Sequence, residues 1–158
     1  MKTFLFSFVS VLCLVCAMNA PLMTVENHVF RLFDDSPIRR DEKLLKTSQV
    51  LHIAAAIMLF VATVISALLL APSDRFTGRE EIAQSVVSIV GAFLYGFAWF
   101  TLLAFMVKVK NNINQVPPVR LRYGTHSDIF GFVFAVTSGT AALFLIATRR
   151  RPAPPSAW

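Results

Sequence analysis

Apolar residues along this chain gather into four long runs without a single Asp, Glu, Lys or Arg: Thr3 to Val25, Thr47 to Ser73, Ile82 to Val107 and Ile129 to Thr148. A helix rises about 1.5 Å per residue, so roughly 20 residues cross a hydrocarbon core of about 30 Å. Each run is long enough. Backbone N–H and C=O groups in lipid must pair within their own segment, which makes helices the expected form. The pattern predicts an all-α, polytopic membrane protein, an antiparallel four-helix transmembrane bundle over residues 1–151. Its helices are expected near 3–25, 47–71, 78–110 and 128–150, followed by a disordered Pro-rich tail at 152–158.

The polar intervals carry start and stop signals. Ser36-Pro37 pairs an N-cap residue with a proline at the first helical position, so helix two could begin there and rise out of the membrane. Pro72 ends it near Ala71. Thr77-Gly78-Arg79-Glu80 has the spacing of a capping box for helix three. Pro117-Pro118 stops that helix after fraying near Asn111, and Ser127 is the expected cap of helix four.

The first run has two readings. Lys2 followed by an apolar stretch to Ala17 also fits a signal peptide, with Val15 and Ala17 at the cleavage positions. Continuation of the uncharged run to Val25 favours a retained helix. With the N-terminus inside, that side carries six basic residues (Lys2, Arg75, Arg79, Arg149, Arg150 and Arg151), and the opposite side carries nine. The plain count leans against this orientation. The Arg149–Arg151 triplet and Lys2, which flank spans directly, place both termini in the cytoplasm.

Lipid is as apolar as leucine, so helices in it associate through close backbone approach and interhelical hydrogen bonds. Small residues mark the expected ridges: Ala55, Ala62 and Ser66 on helix two, Ser88, Ala92 and Gly96 on helix three, Gly131, Ala135 and Gly139 on helix four. They predict close contact between helices three and four. A homo-oligomer using one ridge is the alternative use.

Composition supports the membrane reading. The chain is 56% hydrophobic with 15 Phe, and its mean hydropathy is +0.63. Its net charge of +6 resides at the run ends, where anionic headgroups account for it, and no nucleic-acid partner is expected. Cys13 and Cys16 form a lone C-x-x-C inside an apolar helix. That is too few thiols for a four-thiolate site, so no metal and no cofactor are expected.

Candidate chemistry is sparse. His52 is the one ionisable residue inside a run. No acidic partner is evident in any span, so it is expected to hydrogen-bond to a neighbouring helix or a headgroup. Tyr95 and Trp99 form an aromatic patch on helix three, read as packing, and Gln84 is read as interfacial. His126 with Asp128 is too little for a metal site. The sequence suggests no Ser-His-Asp arrangement and no other catalytic motif, and no enzyme is expected. The tail's Arg-Arg-Arg-Pro-Ala-Pro-Pro fits a basic Pro-x-x-Pro ligand that a stop-transfer cluster produces unaided.

Four helices, a longer first loop, a tight second link and a medium third loop resemble the claudin-type layout. Ala20-Pro21-Leu22, Phe30-Arg31, Tyr123-Gly124 and Gly131-Phe132 are similar to segments of amastins, four-helix surface proteins of trypanosomatid parasites. The first-loop Cys with Leu-Trp-Gly of that family does not occur here, nor does the claudin Trp and Cys pair. The resemblance implies a non-catalytic surface protein, with the plasma membrane favoured over an organelle membrane. Its expected partners are the lipid bilayer and further copies of itself or other membrane subunits. An accessory subunit of a larger membrane complex is the second expectation. A small transporter or channel comes third, disfavoured because no span contains a charge.

Overall fold

The computed structural model describes residues 2–25, 28–33, 42–70, 79–112 and 120–149. Four helices run in chain order: α1 (Lys2–Asn19), α2 (Glu42–Leu68), α3 (Arg79–Asn112) and α4 (Tyr123–Arg149). Three of them, α2, α3 and α4, are long and apolar enough to cross a membrane; α1 is apolar but shorter. The helices form a ring in chain order. The most extensive contacts join α2 to α3 and α1 to α4, while α3–α4 and α1–α2 close the circle. The Ser36-Pro37 entry, the Thr77 capping box and the Pro-rich tail lie outside the described residues.

The expected helix 3–25 is too long. α1 ends at Asn19, because Pro21 has no N–H with which to extend the helix. Pro21–Val25 instead forms strand β1, the centre of a three-stranded antiparallel sheet with β2 (His28–Arg31) and β3 (Arg120–Leu121), in the order β2-β1-β3. Met23 pairs with Phe30 on one side and with Leu121 on the other. The fold is therefore helical with a small sheet at one end, which the uncharged pattern concealed.

A hydrophobic cluster seats the sheet on the helices: Leu22, Met23 and Leu32 meet Leu45 of α2 and Leu102, Phe105, Met106 and Val109 of α3. With 34 residues, α3 is about 51 Å long, well beyond a 30 Å hydrocarbon core, and its last turns serve this contact. Polar ties complete it. Gln49 Nε2 donates to the Leu32 carbonyl at 2.6 Å, Thr125 Oγ1 to the Leu22 carbonyl at 2.6 Å, and Arg122 Nε to Thr24 Oγ1 at 2.8 Å.

The start of α4 follows from these ties. Helix four begins at Tyr123, five residues before the expected position, with its first turn pressed on β1. A Cβ at Gly124 would lie 2.9 Å from the carbonyl oxygens of both Ala20 and Pro21, so only glycine fits there. Ser127 is thus inside the helix rather than its cap, and Asp128 is drawn into the bundle.

The outer surface is far more apolar than that of a water-soluble protein, and polar side chains share the interior with the hydrophobic clusters. Buried side chains include Ser7, Ser10, Ser48, His52, Ser88, Asp128 and Ser138, each at 0% exposure, whereas Ile57, Phe60, Phe93, Phe97 and Phe144 lie open on the outside. Outward-facing threonines such as Thr137 and Thr140 donate their hydroxyls to carbonyls of their own helix, which lets them sit on an apolar surface. Inside, Ser7 and Ser138 share a 2.7 Å hydrogen bond between α1 and α4, and Ser10 Oγ donates to the Gly131 carbonyl at 2.9 Å. Interhelical hydrogen bonds in bilayers average about 0.6 kcal/mol and reach about 1.7. A Ser7→Ala, Ser138→Ala double-mutant cycle, read by unfolding in mixed micelles, should give a coupling in that range.

Candidate functional site: a buried His–Asp pair across the bundle

His52 lies ten residues into α2 and Asp128 five residues into α4, the two helices on opposite corners of the ring. His52 Nε2 is 3.2 Å from Asp128 Oδ1 and 3.4 Å from Oδ2, and both side chains are buried. The expectation that no span holds an acidic partner for His52 is therefore corrected. Asp128 borders an uncharged run in the sequence, but the early start of α4 makes it a helical residue facing inward.

The surrounding bonds fix the proton inventory. His52 Nδ1 lies 2.8 Å from the Ser48 carbonyl oxygen, which only accepts, so Nδ1 carries a hydrogen. Ser48 Oγ donates to the Ala98 carbonyl of α3 at 3.1 Å and also lies 3.3 Å from Nδ1. Nε2 faces the Asp128 carboxyl group, and the contact links α2 to α4. Tyr95 of α3 completes the group: its hydroxyl donates to the Asp128 backbone carbonyl at 3.0 Å, and its ring stands edge-on to His52, with centroids 5.8 Å apart.

Ser48, His52 and Asp128 are the residue types of a hydrolytic triad, which no motif along the chain brings together. Their geometry does not suit nucleophilic catalysis. The Ser48 hydroxyl is committed to Ala98, it shares a helix with His52 one turn away, and all three are at 0% exposure. Along α2 the group is bracketed by Leu45 of the sheet-side cluster and by Ala55 of a second cluster with Leu14, Leu59, Ala92, Tyr95 and Ala135. Among the described residues no three His, Cys, Asp or Glu side chains converge as metal ligands. The group can therefore tie α2, α3 and α4 together in one arrangement.

The small-residue ridges divide in use. Ala55, Ala62, Ser66, Ser88, Ala92 and Ala135 are buried between helices. Ser66 Oγ is the one buried side-chain polar atom without a partner among the described residues, and Gln84 is buried, donating to Ser88 Oγ at 3.3 Å. At Gly131 a Cβ would overlap the Tyr95 hydroxyl and lie 3.1 Å from Cys13 Cβ. Gly91, not on any predicted ridge, is the close approach between α2 and α3, with Leu59 3.0 Å from its virtual Cβ. Between α3 and α4 the close approach is at Gly139, whose virtual Cβ lies 3.7 Å from Ile89 Cα and 3.9 Å from Ala92 Cβ. Over that contact a groove of about 450 Å³, lined in part by Ala92, Gly96 and Gly139, opens to the outside. Phe132 leans over Gly96, stacked on Trp99 and edge-on to Tyr95.

Comparison with protein families, curated proteins and solved structures finds no match for this chain. Its functional reading rests on the geometry above.

Proposed function

We propose that this chain is a non-enzymatic integral membrane protein, an antiparallel four-helix bundle that retains α1 and presents its small sheet at the membrane surface in the manner of an amastin-like surface protein. The apolar exterior carries the reading: large apolar side chains cover the outside, and polar groups bond to one another between the helices. Retention of α1 is supported by its hydrogen bonds to α4 and by the burial of Leu14 and Ala17. The buried pair acts as a clasp across the ring, holding α2 against α4 so that both ends of the sheet's support stay in register.

The buried His52–Asp128 pair removes the lack of charged groups in the spans as a ground against a transporter. Enclosure of His52 and Asp128 between two apolar clusters supports the structural role instead. Side chains at the sheet end, including Arg31, Phe33 and Tyr123, are exposed and form the face available to partners.

Lysines separate the surface reading from its rivals. Lys43 and Lys108 are exposed at the sheet end, and Lys2 begins α1 at the other. An impermeant amine reagent applied to intact cells should modify Lys43 and Lys108. Modification only after permeabilisation would overturn the surface reading. Co-purification of a fixed set of other subunits in mild detergent would favour the accessory-subunit alternative.

A further inference from the structure

The small sheet turns one face to the helices and the other outward, and the outward face carries two arginines. Phe30 and Leu32 pack on the cluster shared with α2 and α3, while Val29, Arg31 and Phe33 between them are exposed. Val29 pairs directly with Thr24 of β1, so Thr24 shares its face. Arg122 reaches that face from the opposite edge, its Nε donating to Thr24 Oγ1 at 2.8 Å. Arg31 pairs with Pro21, and the Arg122 N–H donates to the Leu22 carbonyl at 2.9 Å, so the two arginines flank β1 at neighbouring positions. Strands lie about 4.8 Å apart, which sets the two arginine backbones roughly 10 Å from one another. Among the described residues neither guanidinium has an acidic partner. The bond to Thr24 occupies Nε and leaves the Nη groups of Arg122 for a further acceptor.

We infer that this face binds the headgroup phosphate of an anionic phospholipid. The inference rests on the membrane placement proposed above and supplies a partner for the exposed sheet end. A guanidinium offers parallel N–H donors that a phosphate accepts in pairs, and two such groups without acids beside them attract an anion between them. Position selects a lipid over a soluble anion. With 18 residues, α1 rises about 27 Å, close to the 30 Å or so of a hydrocarbon core. β1 begins two residues after it, so the strand and the arginines on either side of it emerge among the headgroups of the adjoining leaflet. The surroundings agree: Val29, Phe33 and Tyr123 are 48%, 44% and 77% exposed beside the two arginines. Apolar and aromatic side chains mixed with basic ones match the layer where phosphates meet glycerol and the first acyl carbons. Two positive charges exceed the single charge of a phosphodiester, which selects headgroups without an ammonium of their own.

The full chain is placed in nanodiscs of phosphatidylcholine with a minor share of phosphatidylglycerol, and the lipids it retains on release are counted by native mass spectrometry. Wild type should keep one phosphatidylglycerol per chain in preference to phosphatidylcholine. Arg31→Gln and Arg122→Gln should each cut that preference about tenfold, the effect of one hydrogen bond to a charged group. Arg31→Gln, a change at an exposed side chain, should leave the melting temperature unaltered. Lys43→Gln removes the same charge from the same end of the bundle, away from this face, and should keep the preference. Undiminished preference in the Arg31→Gln, Arg122→Gln double variant would overturn the proposal, as would an equal loss in Lys43→Gln. Displacement of the lipid by an equal concentration of soluble glycerol phosphate would make this a free-anion site and overturn it too. A chain that retains neither lipid would overturn the membrane placement, and the inference with it.

Discussion

Replacing His52 with Leu should destabilise the bundle by about 1–3 kcal/mol, the cost of leaving a buried carboxyl group without its hydrogen-bond partner. The carboxyl of Asp128 is at 0% exposure and loses its Nε2 partner at 3.2 Å. Asp128→Asn should behave differently. The Ser48 carbonyl holds the hydrogen on Nδ1, so a neutral imidazole leaves Nε2 as an acceptor. The Asn amide can then donate to it, and the loss should stay below about 1 kcal/mol, within the range of one net hydrogen bond. Adding Asp128→Leu to His52→Leu should recover part of the stability, because an apolar pair strands no polar group. Unfolding in mixed micelles reads all three. A large loss in Asp128→Asn together with a small one in His52→Leu would reverse this account of the clasp.

Gly131→Ala carries the second large effect. Its new Cβ would occupy the position of the Tyr95 hydroxyl and press on Cys13 Cβ at 3.1 Å. Tyr95 cannot retreat without giving up its 3.0 Å bond to the Asp128 carbonyl, so α4 must shift from α3 and α1 together. Overpacking of this kind costs about 1–3 kcal/mol. Tyr95→Phe removes the obstructing atom and should rescue much of the loss when combined with Gly131→Ala. Gly139, two turns further along α4, is the control: its Cβ position is 3.7 Å from Ile89, and alanine there should be tolerated. The two glycines look alike in the sequence and differ only in what faces them.

That contrast marks how far the sequence could be read. The uncharged runs located all four helices, since hydrocarbon length and backbone hydrogen bonding leave little choice. They could not reveal the sheet, whose strands are short and whose central strand, Pro21–Val25, lies within an uncharged run. Nor could they bring Asp128 to His52. Seventy-six positions separate the two, and the link depends on where α4 starts, which is set by Thr125 and Gly124 against β1. Small residues four apart identified buried ridges but not their partners. Gly91 escaped notice because Leu59, the side chain it accommodates, is on another helix.

Nitroxide scanning in vesicles tests the lipid-facing exterior of the bundle most directly. With Cys13 and Cys16 replaced by Ala, single labels at Ile57, Phe93 and Phe144 occupy outward positions on α2, α3 and α4. The account predicts high accessibility to dissolved oxygen and low accessibility to a water-soluble nickel complex at all three. Ready access of the nickel complex to these sites would contradict it.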